Sequence, residues 1–314
     1  MITDTLVSVV IPTYNRADDV CKAVDSVLAQ SHTATEIIVV DDGSTDNTQS
    51  VLRAYGQHIR VITQKNAGPA IARNRGISVA RGDIIAFLDS DDYWLPTKLA
   101  RQVELLQNAG PSVVCCICNA TVLYRDGTKS STFQIADVVP ECSAGLWLNP
   151  AEILSSRFVL FNQVAAIRRS VLERVGYFDE SLRFYEDYEL PLRLSLEGPW
   201  VIIRDELVVY HDGSAGSWAQ KALQESVRLH QDLVKTRERI LALMKLSPRH
   251  AGVTRVLERE LRRARRELRA SRLSQSDFPG ALSLARALRR LEKLRRAVFR
   301  NSPLYPRMLV EEIG

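Results

Sequence analysis

The sequence has few of the residues that characterise fibrous, low-complexity or membrane-spanning proteins. Its 314 residues include only 5 cysteines, 15 glycines and 12 prolines, which excludes collagen-like, low-complexity and wholly disordered chains. No window approaches the roughly 18 uninterrupted apolar residues that a membrane-spanning helix needs. Residues 1–4 lack the basic stretch that begins a signal peptide. Because 46% of the residues are hydrophobic, we expect a globular, cytoplasmic protein with a large core.

Three of the cysteines lie in one short apolar run, residues 113–118. Such a run is typical of a strand buried in a sheet, and reduced thiols are the simplest interpretation. A zinc site is the alternative. However, the run has no histidine nearby and no second cysteine pair at the spacing of metal ligands. We therefore favour a buried strand with free thiols.

Charge divides the chain into two parts of opposite sign. Residues 1–218 hold 19 basic and 27 acidic side chains, whereas residues 219–314 hold 23 basic and 10 acidic ones. An acidic body with aspartates in its loops favours a cation site, and a basic segment favours an anionic partner surface. We expect a domain at 1–218, with a nucleotide-binding half near 1–110 and an acceptor half near 111–218, followed by a basic helical extension at 219–314.

The first ninety residues alternate between short β-branched runs and amphipathic segments. The pattern predicts four strands at 6–12, 36–40, 60–63 and 83–88, with helices at 17–30, 47–55 and 69–80 between them. Strands that alternate with helices are typical of an α/β fold with a doubly wound, mainly parallel sheet. Ligands of such sheets bind beyond the carboxyl ends of the strands.

Polar residues follow three of these predicted strands, at 12–15, 41–42 and 89–92. One carboxylate there could accept from a base N–H, and Asp89 and Asp91 could bind Mg²⁺ or Mn²⁺, which prefer carboxylate oxygens. The alternative for these two aspartates is turn formation and helix capping. The chain has neither a Walker-type phosphate loop nor a Gly-x-Gly-x-x-Gly motif after the first strand, which weakens ATPase and dinucleotide-binding interpretations.

Five ordered blocks carry a resemblance to a known family. Residues 7–16, 38–46, 66–74 and 87–92, together with the acidic pair of segments at 175–180 and 185–190, resemble successive motifs of the family 2 glycosyltransferases. The resemblance spans residues 6 to about 213. It implies a GT-A fold, a nucleotide-diphospho-sugar donor, a divalent cation (Mn²⁺ or Mg²⁺) and inversion at the anomeric carbon.

The resemblance also implies roles for individual residues. Asp187 would be the general base, Asp42 would accept from the base of the nucleotide, and Asp91 would bind the metal, with Asp89 supporting the ribose or the metal. His211 matches more loosely a position near the diphosphate or metal. The donor-binding set that the motifs imply is Pro12, Thr13, Tyr14, Asn15, Asp42, Gly68, Arg73, Asn74, Asp89 and Ser90.

Each of these roles has a structural alternative. Asp187 could pair with Arg183 or Arg193 on the helix that it begins, a surface pair worth under about 1 kcal/mol. His211 could be a strand-end side chain that bonds to the backbone. Trp147, Trp200 and Trp218 could stack on an acceptor sugar. Large aromatic side chains are more often part of a core, so we expect core positions for these three.

The basic extension repeats one helical design twice. Apolar residues at 257, 261, 264 and 268, and again at 284, 288, 291 and 298, recur at helical spacing among arginines. A breaker at 274–280 would join the two as a helical hairpin. Such helices bind anionic membrane through residues 250–300 in one interpretation; in the other, their leucines pack on the body or in a homo-oligomer. Nucleic acid is not expected, because no stacking aromatics are interleaved with the arginines.

Together these patterns predict an inverting glycosyltransferase of bacterial cell-surface glycan synthesis, with a saccharide or lipid-linked acceptor. The location predicted is cytoplasmic, peripheral on the inner face of the cell membrane. A sugar nucleotidyltransferase is one alternative, although residues 13–16 are not the basic glycine-rich loop it would need. A non-catalytic scaffold that binds sugar nucleotides is another, against which the intact Asp89, Asp91 and Asp187 argue.

Overall fold

The computed structural model describes residues 5–212, 225–245, 251–277 and 308–312. Its first half has the predicted alternation, with boundaries within three residues of those expected. The elements in chain order are β1 (Val7–Thr13), α1 (Val20–Leu28), β2 (Thr35–Asp41), α2 (Thr48–Arg53), β3 (Arg60–Thr63), α3 (Pro69–Val79) and β4 (Ile84–Phe87). The β-branched runs of β1 and β2 are buried on both faces, as expected of central parallel strands.

The second half places shorter strands and helices around this unit. They are β5 (Tyr93–Trp94), α4 (Lys98–Asn108), β6 (Cys115–Leu123), β7 (Lys129–Ser131), α5 (Thr132–Ala136), β8 (Ala144–Trp147), α6 (Pro150–Leu154), β9 (Ala165–Arg168), α7 (Arg169–Val175), α8 (Glu186–Ser195) and β10 (Trp200–His211). Single 3-10 turns occur at Gly56–His58 and Asn162–Val164. A last strand, β11, spans Val310–Glu312.

The strands form one sheet with the order β11-β8-β10-β6-β9-β4-β1-β2-β3, with β5 paired to β10 and β7 to β6. Strands β1, β2, β3, β4, β6, β10 and β11 run in one direction, and β5, β7, β8 and β9 run in the other. The sheet is therefore mainly parallel, as predicted. β9 lies antiparallel between β4 and β6 and so joins the two halves.

The cysteine run and two of the tryptophans belong to the core. Cys115, Cys116 and Cys118 are fully buried in β6, and burial raises the pKa of the Cys118 thiol to about 11. Trp147 and Trp200 are fully buried and pack edge to face, with ring centroids 5.6 Å apart. The predicted strand and the predicted core roles are confirmed for these residues, while Trp218 lies outside the described residues.

Two long helices of the extension form an antiparallel hairpin. They are α9 (Ser226–Lys245) and α10 (Ala251–Asp277). Ion pairs join Glu238 to Arg265 and Lys245 to Glu258, so the two helices run antiparallel. Leu257, Leu261 and Ala264 are buried, so this apolar stripe packs within the chain. α9 packs on α8, and α10 packs on α6.

This hairpin differs from the predicted one. The prediction of a break at 274–280 is wrong for 274–277, where α10 continues to Asp277 because serine and glutamine cost little inside a helix. The observed partner of the 251–277 helix is α9, which the sequence pattern did not reveal, and the predicted partner at 284–298 lies outside the described residues. Across the described ranges, no helix is long and apolar enough to cross a bilayer.

Strand β11 brings the extension into the sheet itself. It pairs antiparallel with β8, and Val310 lies opposite Trp147. The approach is close, since a Cβ at Gly145 would meet Val310 and would lie 2.7 Å from the carbonyl oxygen of Glu311. Glycine at this position lets the last strand pair with β8.

Candidate functional site

A cleft of about 530 Å³ opens where β1, β2, β4 and β10 end and α8 begins. Its volume lies within the range of small-molecule sites. The cleft brings together most of the predicted site residues. Those that line it are Pro12, Thr13, Tyr14, Asp42, Gly68, Arg73, Asp89, Ser90, Asp91, Asp187 and His211.

Asp42 shapes one wall of the cleft. Its carboxylate accepts from the side-chain amide of Gln64 at 2.7 Å and from the backbone N–H groups of Ala67 at 2.9 Å and Gly68 at 2.8 Å. Gly68 has a φ of +96°, a left-handed backbone that favours glycine. A carboxylate has about four acceptor positions. Three hydrogen bonds therefore fix the loop at 64–68 and leave one acceptor position of Asp42 for a ligand.

Asn15 and Asn74, two of the predicted donor-binding residues, lie outside the cleft. Asn15 has a left-handed backbone, and its side-chain oxygen accepts from the N–H of Thr45 at 2.7 Å. Asn74 donates to the carbonyl of Phe178 at 3.0 Å and accepts from the N–H of the same residue at 3.0 Å. Asn15 links two loops, and Asn74 links α3 to the segment at Phe178; a motif match cannot distinguish such structural roles from ligand binding.

Arg73 links the two sides of the cleft. Its guanidinium is buried and lies 2.6 Å from a carboxylate oxygen of Asp89 and 3.1 Å from one of Glu186. The other oxygen of Asp89 accepts from the side-chain amide of Gln163. Both oxygens of Asp89 are thus engaged within the chain, and this aspartate helps to hold the two sides of the cleft together.

Asp187 lies in the first turn of α8 and faces the cleft. Burial, with a further contribution from the charge of Glu186, raises the pKa of Asp187 to about 7 although Arg73 opposes the shift. Arg183 and Arg193, the alternative partners expected from the sequence, form salt bridges with Glu225 and Glu189. A carboxylate that titrates near neutral pH suits proton transfer.

His211 lies at the end of β10 beside a buried carboxylate. Its backbone N–H donates to Asp92 at 2.8 Å, and its ring Nδ1 lies 3.6 Å from the same carboxylate. Burial raises the pKa of Asp92 to about 7, while the neighbouring carboxylate of Asp92 raises the pKa of His211. The backbone contact that the sequence offered as an alternative is therefore present, and His211 lines the cleft as well.

The donor atoms fit a divalent cation in part. Asp91 offers a carboxylate, which also lies 3.2 Å from Arg16, and the buried Nδ1 of His211 forms no hydrogen bond within the described part of the chain. The carboxylate suits Mn²⁺ or Mg²⁺, and a neutral imidazole is a common metal ligand. No group of three or more His, Cys, Asp or Glu side chains in the described ranges could hold a metal alone. A cation would therefore need further ligands from a substrate, as is usual for Mg²⁺ with phosphates.

Several lining residues were missed from the sequence. Arg16, Gln163, Tyr185 and Glu186 line the cleft and contact or adjoin the predicted acids. Glu186 could have been found, since it precedes Asp187 in the acidic block. Gln163 offered no signal, because it reaches Asp89 from a 3-10 turn 74 residues away in the chain.

The solved structures include a similar fold. Mannosyltransferase PcManGT from Pyrobaculum calidifontis, solved in complex with GDP-Man and Mn²⁺, superposes with a TM-score of 0.58 at 22% identity. The match covers 94% of this chain and 81% of that one. At this identity the likeness shows the fold, which is of the GT-A type.

Sequence comparisons add relatives with closer identity. Uncharacterized glycosyltransferase RT0329 of Rickettsia typhi is 29% identical over 233 residues, which are 73% of this chain and 72% of the relative. Succinoglycan biosynthesis protein ExoO of Rhizobium meliloti is 35% identical over 189 residues, 59% of this chain; the chain spans about half of ExoO, 54% of its length. The model of the family described as "Glycosyl transferase family 2" matches residues 8–176. More than half of the chain thus fits this model, and the protein belongs to glycosyltransferase family 2.

Proposed function

We propose that the protein is an inverting glycosyltransferase that moves a sugar from a nucleotide-diphospho-sugar to a hydroxyl of a saccharide or lipid-linked acceptor. The observation that carries the proposal is Asp187, a carboxylate in the cleft with a pKa raised to about 7. The name of ExoO supports a role in the synthesis of cell-surface glycans, and the GDP-Man of PcManGT supports a sugar-nucleotide donor.

The transfer is a single displacement. Asp187 takes the proton of the acceptor hydroxyl while the hydroxyl oxygen bonds to the anomeric carbon. The bond from that carbon to the diphosphate oxygen breaks, and the nucleoside diphosphate leaves. Attack opposite the leaving group inverts the configuration. One carboxylate is enough for this reaction, whereas a retaining mechanism through a covalent intermediate also needs a nucleophile.

The other wall of the cleft would hold the nucleotide. The remaining acceptor position of Asp42 suits a base N–H, and the exposed ring of Tyr14, with Thr13 beside it, offers a surface along the nucleoside. Asp91 and His211 would hold a Mn²⁺ or Mg²⁺ ion, which when bound supplies positive charge against the departing diphosphate. Arg73 keeps Asp89 and Glu186 of α8 in place beside the cleft.

We also propose that the protein is a cytoplasmic enzyme attached to the inner face of the cell membrane through α10. Arg255, Arg262, Arg266 and Arg269 are exposed, and their spacing of seven, four and three residues places them on one face of the helix. The buried stripe of Leu257 lies on the opposite face. Attachment by the described part of the helix is therefore electrostatic, at about 1 kcal/mol for each engaged arginine.

The test is a panel of sugar nucleotides that includes UDP-GlcNAc, UDP-Glc and GDP-Man, each with Mn²⁺ or Mg²⁺. We expect one of them to be hydrolysed slowly to the nucleoside diphosphate and to raise Tm. In Asp187→Asn, nucleoside diphosphate affinity should persist while turnover falls by about 10²-fold to 10⁴-fold. Asp205→Asn is the matched control, because this carboxylate is exposed on β10 and pairs with Arg101. Normal turnover in Asp187→Asn would contradict the proposal.

A further inference from the structure

We infer that Asp232 of α9 is a positioning residue that holds the segment carrying Asp187 in its working geometry. The inference rests on the proposed function, because it assigns Asp232 a role through Asp187. It adds that the helical extension is part of the catalytic unit. The evidence is a buried contact between α9 and the backbone immediately before α8.

The carboxylate of Asp232 is 2% exposed and caps two backbone groups. Its Oδ2 atom accepts from the N–H of Arg183 at 2.9 Å and from the N–H of Phe184 at 3.1 Å. Both residues line the cleft and stand three or four positions before Asp187. A side chain of the extension thus determines the path of the chain into the site.

The chain needs such a restraint at this point. Tyr185, between the capped residues and Glu186, has a φ of +65°, a left-handed backbone that is uncommon outside glycine. Residues in this region stay there only where the surroundings fix them. Asp232 fixes the side before Tyr185, and the ion pair of Arg73 with Glu186 fixes the side after it. Asp187 follows directly after Glu186, so these contacts also determine the position of its backbone.

Other contacts of α9, with residues shortly before this segment, are less decisive. Arg239 lies 2.8 Å from Asp179, and Arg228 donates to the carbonyl of Ser181 at 3.0 Å. These arginines are 44% and 48% exposed, and exposed pairs contribute little. Removal of Asp232 instead takes the acceptor from the buried N–H of Phe184 and from the partly buried N–H of Arg183, and a buried donor without an acceptor is costly.

An ion pair within α9 is the simpler interpretation of Asp232. Arg228 lies one turn earlier and 3.1 Å from the Oδ1 atom. This pair engages Oδ1 and approaches Oδ2 at 3.3 Å, whereas the shorter contacts of Oδ2 go to backbone groups 48 and 49 residues away in sequence. The long-range bonds therefore determine the position of Oδ2, and the ion pair with Arg228 engages the other oxygen of the carboxylate.

The position of Asp232 predicts that its replacement lowers the rate of transfer without changing the affinity for the donor nucleotide. The nucleotide contacts proposed for Asp42 and Tyr14 come from β1 and β2, on the opposite wall of the cleft. If the 183–187 segment shifts, the distance from Asp187 to the acceptor hydroxyl changes while that wall stays in place. A displacement of about 1 Å in a reacting group can cost about 10²-fold in rate.

The experiment compares Asp232→Ala and Asp232→Asn in the full chain. We expect Asp232→Ala to lower kcat by roughly tenfold to a hundredfold at unchanged affinity for UDP or GDP with Mn²⁺. Asparagine keeps an oxygen at the acceptor position, so Asp232→Asn should restore kcat to within about threefold. Hydrogen exchange of the Arg183 and Phe184 amides should be faster in the alanine variant and near normal in the asparagine variant.

Glu238→Ala is the matched control, because this carboxylate of α9 pairs with Arg265 of α10 rather than with the 183–187 segment. It should change neither kcat nor the exchange of the two amides. Unchanged amide exchange in Asp232→Ala, or faster exchange with normal kcat, would overturn the inference. So would an equal loss in the alanine and asparagine variants.

Two further outcomes are informative. If Asp232→Ala does not fold, the unmodified protein still tests the inference, because unprotected amides at Arg183 and Phe184 would refute the contact. If Asp187→Asn is fully active while Asp232→Ala loosens the two amides, the assignment of the base fails and the structural contact stands. The failure of the proposed function is thus distinguishable from the failure of this inference.

Discussion

Arg73 in α3 lies 3.1 Å from Glu186 in α8, although the two residues are 113 positions apart in the chain. The pair joins the nucleotide side of the cleft to the helix that carries Asp187. It also places three acidic side chains around one buried guanidinium, because Asp89 and Asp187 lie beside it. The charge balance around Asp89, Glu186 and Asp187 therefore depends on this arginine.

We predict that Arg73→Gln destabilises the protein and shifts its pH profile. Removing one partner of a buried pair costs about 3 kcal/mol or more. Because the charge of Arg73 lowers the pKa of Asp187, its loss should raise that pKa and move the rise of kcat/KM to higher pH. Urea unfolding and a pH–rate profile measure the two effects. Arg75→Gln, an exposed position of the same helix, should show neither.

We predict that kcat/KM of the unmodified protein rises with pH up to about 7 and is flat above it. Asp187 acts as a base only when deprotonated, and burial raises its pKa to about 7. The profile is measured with the donor that the panel identifies. A rate that is independent of pH between 5 and 8 would show that another group takes the proton.

The same shift has a consequence for stability. The pKa of Asp187 is raised from 3.8 to about 7, so the folded state binds a proton there that the unfolded chain releases. This contribution is fully present below about pH 4 and is lost as the pH rises through 7. Asp187→Asn removes the titration, so its Tm should exceed that of the unmodified protein at pH 8. At pH 4 the two should agree, and Asp205→Asn should leave the pH dependence unchanged.

We predict that Asp91→Asn weakens the Mn²⁺-dependent binding of UDP or GDP, because the diphosphate then loses a cation held by that carboxylate. Calorimetry with and without Mn²⁺ measures the loss. Asp19→Asn is the matched control, since Asp19 pairs with the same Arg16 at 3.3 Å. Equal effects of the two variants would show that Asp91 acts only through Arg16.

We predict that replacing Arg255, Arg262, Arg266 and Arg269 by glutamine weakens binding to anionic phospholipid vesicles by roughly a thousandfold at low salt. The same number of charges removed from exposed arginines of the body, at 53, 60, 81 and 174, should have a much smaller effect. Co-sedimentation with vesicles at two salt concentrations measures both. Absence of binding by the unmodified protein at low salt would refute membrane attachment through α10.

The sheet and the main site residues could be predicted because their signals are local. A buried parallel strand is a short β-branched run, and ligands collect where such strands end, so Asp42, Asp89 and Asp91 could be placed before the structure. The exact ends of α10 were less predictable, since serine and glutamine permit a helix without requiring its end.

The contacts made by the extension could not be predicted in the same way. The sequence shows that α10 is amphipathic, but apolar periodicity alone does not say whether a leucine stripe meets lipid, a second subunit or another helix of the same chain. In the sequence, Asp232 is indistinguishable from other acidic residues of a helix. Its hydrogen bonds are to Arg183 and Phe184, nearly fifty residues earlier in the chain. Long-range polar contacts of this kind leave no local pattern.

Strand β11 has a consequence for how the molecules behave in solution. An edge strand presents unpaired N–H and C=O groups to which another chain can add. Val310–Glu312 occupies these positions along residues 145–147 of β8. A side chain at Gly145 would displace this cover, so Gly145→Val should leave the cleft intact yet promote self-association through the uncovered edge. β11 is itself the edge, but it is three residues long and carries Glu311 and Glu312, and a short, charged edge resists intermolecular strand addition.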